Sequence, residues 1–293
     1  MPVSLKTALP GAVVISSACW GAVEANLFPE SISPGALKSE DEHRRDICVV
    51  GRWILERGFA ASTDGNISLR LDARRILTSP TAISKGMMTA DDLVITDMAG
   101  KKLNGRRNPS SELAMHLLVY RRRPDVNAIC HAHPLVATGY AAAGVPLNKA
   151  LLSEAVLALG CVPLAPYGTP GTPELTEAIE PLVQHYDAIL MANHGVVTYG
   201  QDLLTAFFRM DTTEHYARVS LVTELLGKQV LLSGGDVEKL LAARARYGLQ
   251  TAATYRPDCP VTAEPGQTDQ VTISRRELET LVEEAVRRDR AQR

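Results

Sequence analysis

From Ser39 to about residue 250, short apolar runs alternate with longer stretches of helical periodicity. That alternation restricts the chain to an α/β domain in which helices flank a central sheet. The segment DEHRRDICVVGRWILERG places Ile47, Val50, Ile54 and Leu55 on one helical face. Ser39 and Glu42 form a capping box at its start, and Gly58 supplies a left-handed stop. Residues 66–71 and 92–96 read as strands, the second closed by a turn at Ala99 and Gly100. Residues 110–123 read as a helix ended by Pro124, 126–133 and 188–192 as strands, and 203–226 as a long helix. The spacing leaves the strand order open.

The flanks have a different texture. Residues 1–38 are rich in Ser, Pro, Ala and Gly and read as an N-terminal extension. Pro10, Gly11, Ser16 and Ser17 interrupt the apolar start, which argues against a secretory signal. The main domain is expected over 39–255, followed by a Pro-rich linker over 256–270. Residues 271–293 read as an amphipathic helix with Leu278, Leu281, Val282, Ala285 and Val286 on one face. A lone helix of that length wants a partner surface.

Net charge is 31 − 33 = −2 and aromatic residues make up 5% of the chain. No basic field or stacking platform for nucleic acid is therefore expected. No apolar run reaches the roughly 18 residues of a membrane span. The five cysteines (Cys19, Cys48, Cys130, Cys161, Cys259) contain no C-x-x-C pair. They suggest neither a disulfide framework nor a cysteine zinc site, and the chain reads as cytoplasmic.

The residues with the most chemistry are Cys130-His131-Ala132-His133-Pro134, at the end of an apolar strand. Strand side chains alternate, so His131 and His133 face the same way and two imidazoles can share a metal. Two hydrogen-bonded histidines at a strand end would present the same pattern. His194 ends another apolar strand and is followed by Gly195, which permits a tight turn. Three neutral imidazoles with an open fourth position make a catalytic rather than a structural zinc site. Glu112 falls in the first turn of its helix, where a carboxylate complements the helix dipole or serves as a general acid/base. His116, one turn on, is a conceivable fourth ligand, though a packed or surface role suits it better. Ser110, Ser111 and the free amides of that helix start suit a phosphate. Thr63-Asp64-Gly65-Asn66 and Ser79-Pro80-Thr81-Ala82 are turns with hydroxyls and amides suited to the same group.

Several ordered motifs go further. They are DGNIS (64–68), SPTAISKGMMTADDLV (79–94), PSSE (109–112), RPDVNAICHAHP (123–134), PLAPYGTPGT (163–172) and NHG (193–195), with the tyrosine of ARYGL. Together they resemble the class II aldolase family, the aldolase–adducin group that includes the fuculose phosphate aldolases. The resemblance covers about residues 43–250. It implies a single α/β domain with a mainly antiparallel central sheet flanked by helices. It also implies zinc held by His131, His133 and His194, with Glu112 transferring the proton. Thr63, Asn66, Thr81, Ser110 and Ser111 match phosphate-contacting positions, and Tyr247 matches a mobile tyrosine that handles the aldehyde oxygen. The implied reaction is reversible cleavage of a ketose 1-phosphate to dihydroxyacetone phosphate and an aldehyde such as lactaldehyde. The implied assembly is a homotetramer with active sites between subunits.

Two departures bear on that expectation. Ala82 stands where the family usually has glycine, and no tyrosine occurs at 152–154, where a second catalytic one would fall. Epimerases, dehydratases and decarboxylases share the scaffold; Glu112, where epimerases carry aspartate, favours the aldolase. A non-catalytic, adducin-like scaffold is the alternative of another class, but such proteins lose metal ligands that this chain keeps. The linker and helix over 256–293 resemble encapsulation peptides that bind bacterial microcompartment shell proteins. Docking on the chain's own oligomer is the competing role.

Overall fold

The computed structural model describes residues 38–249. The N-terminal extension and the linker and helix expected over 256–293 lie outside the described residues. Helix α1 (Glu40–Glu56) opens on Glu40, Asp41 and Glu42, carboxylates favourable at a helix N-terminus. It buries Ile47, Val50, Gly51 and Ile54. The expected Leu55 is 40% exposed and lies at the margin of that face. Gly58 ends the helix at φ 68°, and the Phe59 amide reaches back to the Ile54 carbonyl at 2.9 Å.

Eight strands form one sheet: β1 (Asn66–Arg70), β2 (Arg75–Thr78), β3 (Val94–Asp97), β4 (Lys102–Asn104), β5 (Ala128–Ala132), β6 (Leu164–Ala165), β7 (Ala188–Met191) and β8 (Gly195–Gly200). Their order is β4-β3-β2-β1-β5-β8-β7-β6, and every neighbouring pair is antiparallel except β6 with β7. The remaining helices are α2 (Leu113–Arg122), α3 (Leu135–Ala142), α4 (Ser153–Ala158), α5 (Pro173–Val183), α6 (Leu203–Leu225) and α7 (Gly234–Ala243). The architecture is the mixed α/β domain with a mainly antiparallel sheet that was expected.

Successive residues of the central strands point to opposite faces, and both faces are covered. Cys130, Leu190 and Val196 join a core with Ile47, Phe207 and Met210. Their neighbours Ile129, Ile189 and Val197 join a second core with Val119, Leu175 and Ile179. A strand buried on both sides reads as a continuous apolar run, which is why 126–133 and 188–192 stood out. β2, β4, β6 and β8 were not anticipated. β8 begins with Gly195, so its sequence looked like the continuation of a turn.

Boundaries shift by one to three residues. Asp92 belongs to a 3-10 turn (Ala90–Asp92), so β3 starts at Val94. The helix expected at 110 starts at Leu113, after a turn. β5 stops at Ala132, one residue before His133. Among the described residues Cys48 and Cys130 are free thiols. No helix of the described residues is long and apolar enough to cross a membrane.

Candidate active site

The β5–β8 pairing builds the centre of the site. His131 is the penultimate residue of β5 and pairs with Val197, while His194 sits in the turn leading into β8. The ligand atoms of His131, His133 and His194 lie within 4.8 Å of one another. Their rings form a near-equilateral triangle, with centroids 4.8–5.1 Å apart.

Local backbone explains how three rings fit. Asn193 takes φ 54°, a left-handed conformation that asparagine tolerates better than most residues. Gly195 serves a purpose other than the tight turn expected of it. A Cβ there would stand 2.4 Å from His133 Cδ2 and 2.7 Å from the Ala132 carbonyl oxygen. Gly65, at φ 73°, leaves the same kind of room for the carbonyl of His131.

The second nitrogens of two rings are held from behind. His131 Nδ1 donates to the Val196 carbonyl at 2.9 Å, which turns its Nε2 inward. Asp64 Oδ2 lies 3.5 Å from His133 Nδ1. Burial, then the neighbouring imidazoles, push His133 down to about 4, so it is neutral at ordinary pH. Burial alone would lower His131, but the Glu112 carboxylate outweighs it and raises the group.

Glu112 faces the triangle. Its Oε2 is 3.2 Å from His131 Nε2 and its Oε1 is 3.1 Å from His194 Nε2. Although Glu112 occupies the N-cap position of α2, its side chain does not cap that helix. The carboxylate is committed to the site, and Asn66 Nδ2 fixes it with a hydrogen bond to Oε2 of 2.8 Å. Burial works to raise the Glu112 carboxyl, but His131 and His194 overcome it and hold the group well below the usual carboxylate range.

Two buried polar atoms here, His194 Nδ1 and Asn66 Oδ1, have no hydrogen-bond partner among the described residues. Three converging imidazoles beside a carboxylate fit a divalent ion of zinc's preferences. His116 is excluded from the cluster. It is buried, with Nδ1 2.6 Å from Ser68 Oγ, and burial with the nearby His131 lowers it to about 3.

The hydroxyl-bearing turns adjoin this centre. Thr81 N donates to Asn108 O at 3.1 Å and Ser110 N to Ser79 O at 3.2 Å, joining the 79–82 and 108–111 loops. Ser110 Oγ accepts from the Glu112 amide, and Ser111 is exposed. Thr63, also exposed, is tied to the second loop by Lys85, whose Nζ donates to Thr63 O and Ile83 O at 2.8 and 2.7 Å. Asn66 differs from the other candidate phosphate residues, because its amide serves Glu112. Tyr247 ends a 3-10 turn (Arg244–Tyr247) after α7 and is 66% exposed. Within the described residues it makes no hydrogen bond to Glu112 or the histidines.

Sequence reasoning overlooked Asp64 as a partner of His133 and overlooked Lys85 altogether. Asp64 carried a signal, since it stands in a turn already marked as candidate. Lys85 carried little, because a lysine in a polar loop usually faces water.

Residues 45–221 match the family model described as Class II Aldolase and Adducin N-terminal domain. The chain is 32% identical to the 5-deoxy-D-ribulose 1-phosphate aldolase of Bacillus thuringiensis, over 71% of this chain and 98% of that protein. It is also 32% identical to the 3-oxo-tetronate 4-phosphate decarboxylase of Pectobacterium atrosepticum, over 70% and 95% of the respective lengths. A solved L-fuculose 1-phosphate aldolase superimposes with a TM-score of 0.65 at 30% identity, covering 71% of this chain and 98% of that one.

Proposed function

The chain belongs to the class II aldolase and adducin family, and from that premise we propose that it is a zinc-dependent sugar-phosphate lyase. Its reaction is the reversible cleavage of a ketose 1-phosphate to dihydroxyacetone phosphate and an aldehyde such as lactaldehyde. L-Fuculose 1-phosphate and related deoxyketose, rhamnulose or ribulose 1-phosphates are the candidate substrates. The observation that carries this reading is the Glu112 carboxylate, set 3.2 and 3.1 Å from the inward nitrogens of His131 and His194.

His131, His133 and His194 would hold the ion. Zinc bound there supplies Lewis-acid stabilisation of charge developing on the substrate's carbonyl oxygen. Cleavage leaves an electron pair on the carbon beside the ketone, and Glu112, protonated at the start of that direction, delivers its proton to that carbon. In condensation the Glu112 carboxylate takes the same proton away and is left protonated. Asn66 keeps the carboxylate aimed. Thr63, Thr81, Ser110 and Ser111 receive the phosphate with their hydroxyls and nearby amides. Tyr247, delivered from the C-terminal segment at a subunit boundary of a homotetramer, takes the proton of the hydroxyl that becomes the aldehyde while passing its own phenolic proton to water.

Decarboxylation of a 3-oxo sugar-acid phosphate is the second reading. The decarboxylase from Pectobacterium is as similar to this chain as the aldolase from Bacillus. Loss of carbon dioxide leaves the same electron pair beside a ketone but needs no base for a hydroxyl proton. That chemistry would not miss a tyrosine at 152–154.

The test is release of dihydroxyacetone phosphate from fuculose 1-phosphate and 5-deoxyribulose 1-phosphate, with and without chelator. 3-Oxo-tetronate 4-phosphate is run beside them for carbon dioxide. Chelator-sensitive dihydroxyacetone phosphate from either ketose 1-phosphate supports the aldolase; carbon dioxide from the tetronate phosphate with both ketose 1-phosphates intact transfers the assignment to the decarboxylase. Intact substrates with stoichiometric zinc bound would sink both. Cytoplasmic location, and capture by a microcompartment shell through 256–293, are further proposals. A fluorescent protein carrying that segment beside shell proteins tests the latter, and diffuse fluorescence would count against it.

A further inference from the structure

Among the described residues only Ser62, Ala82 and Asn193 combine a side chain with positive φ, at 51°, 56° and 54°. All three adjoin candidate site residues: Ser62 precedes Thr63, Ala82 follows Thr81, and Asn193 precedes His194. Such conformations are unfavourable for L-residues and persist only where the surroundings impose them. Asn193 is held from both sides: its own amide donates to the Ala141 carbonyl at 3.4 Å, and His194 N donates to Met191 O at 3.1 Å across the turn into β8. The other two stand on exposed turns and need another restraint.

Lys85 supplies it. The residue is 2% exposed, and its ammonium donates to the carbonyls of Thr63 and Ile83, the residues immediately after Ser62 and Ala82. One side chain therefore grips both strained turns at equivalent points. Its root is fixed as well, because α1 presses on its backbone. A Cβ at Gly51 would lie 2.4 Å from the Lys85 carbonyl oxygen. Two of three ammonium donors are used, and the third has no protein partner among the described residues. Burial lowers the group to about 8, against the pull of Asp64 and Glu112, so it is mostly charged at neutral pH. Burying a cation is costly, and a neutral side chain would staple two carbonyls at smaller cost. A positive charge between these turns is accounted for if an anion is received there.

We propose that Lys85 is the positioning residue of the phosphate cradle, holding the turns of Thr63 and Thr81 in the shape that receives the phosphate. The proposal rests on the reading of the site given above. It is tested in the full-length, metal-loaded protein with Lys85→Met, which keeps the length and removes the donors, and Lys85→Gln, which keeps two donors. Inorganic phosphate is the probe, with its Kd measured by calorimetry. KM and kcat for the best substrate, melting temperature and zinc content are read in parallel. In Lys85→Met the phosphate Kd and the substrate KM are expected to rise about tenfold or more together, a change characteristic of lost charge-assisted hydrogen bonding, with kcat within about threefold. Lys85→Gln should fall between that variant and wild type, with zinc unchanged in both. An unaltered phosphate Kd in folded Lys85→Met overturns the proposal; if that variant does not fold, an unaltered Kd in Lys85→Gln does so. A fall in kcat at constant KM also overturns it. Wild-type protein that binds no phosphate overturns this proposal and the sugar-phosphate reading together, whereas phosphate bound by wild type with an unaltered Kd in Lys85→Met overturns this proposal alone.

Discussion

Strands β5, β7 and β8 carry a buried polar cluster at each end. At one end are His131, His133, His194 and Glu112. At the other Asp187, fully buried, accepts from Arg123 Nη2 at 2.8 Å and lies 3.0 Å from Arg209 Nη2. Arg123 also donates to Asp125 and to the Val183 carbonyl, and Tyr199 reaches the Tyr186 carbonyl. Nearly every charge there meets an opposite charge or a carbonyl. The histidine end converges like groups on one point and leaves His194 Nδ1 and Asn66 Oδ1 without a partner among the described residues. Buried polar groups normally find partners, so unmet ones mark where something else is meant to bind. The two ends therefore separate a cluster that completes the fold from one that the fold leaves incomplete.

The largest expected effect tests the incomplete end. Glu112→Gln should lower kcat by about 10²–10⁴-fold, the usual range for a lost general acid/base, while zinc content stays at wild type. A variant that loses zinc in proportion to activity would make Glu112 a ligand and undo its assignment.

Arg123→Met asks the opposite question of the complete end. Removing one partner of a buried ion pair costs about 3–5 kcal/mol, so chemical denaturation should show a large loss of stability. Activity per folded molecule should be preserved. A selective loss of activity with stability intact would erase the distinction between the two ends.

Gly195→Ala sharpens the contrast within the histidine end. Its Cβ would collide with the His133 ring and the Ala132 carbonyl. Displacing that ring should weaken zinc affinity by about 10–100-fold, the range seen when the supports of a ligand are disturbed. Competition against a chromogenic chelator measures it. The reverse exchange, Ala82→Gly, should have the smallest effect, a gain of about 0.5–1 kcal/mol from relieving φ 56°, partly offset by the freer unfolded chain. Thermal melting of the metal-loaded protein detects it, and a loss of stability would mean the turn is not strained.

The sequence revealed what depends on local period and little of what depends on approach. His131 and His133 share a face because strands alternate, and that much is visible in C-H-A-H-P. The long helix and the apolar strands were visible for the same reason. Gly195 was noticed, but its purpose lies in a ring about sixty residues earlier in the chain, which no local pattern shows. Lys85 resembles any loop lysine until α1 and two turns close around it. β8 was missed because its first residues look like a turn, and only pairing with β5 on one side and β7 on the other makes them a strand. Glu112 was placed in the first turn of a helix. Its freedom from capping duty appears only when Asn66 and the histidines surround it.

The β5–β8 register has a further consequence, for the order of folding. His131 is aimed by the carbonyl of Val196, and His194 leads into the same strand, so the three-histidine arrangement exists only once β8 has docked on β5. Docking joins segments more than sixty residues apart, the kind of distant closure that small domains complete slowly. A chain emerging from the ribosome must therefore be synthesised past residue 200 before it can capture an ion in the native manner. Zinc added during refolding should accelerate no early phase, and should slow unfolding of the finished protein by latching the two strands together.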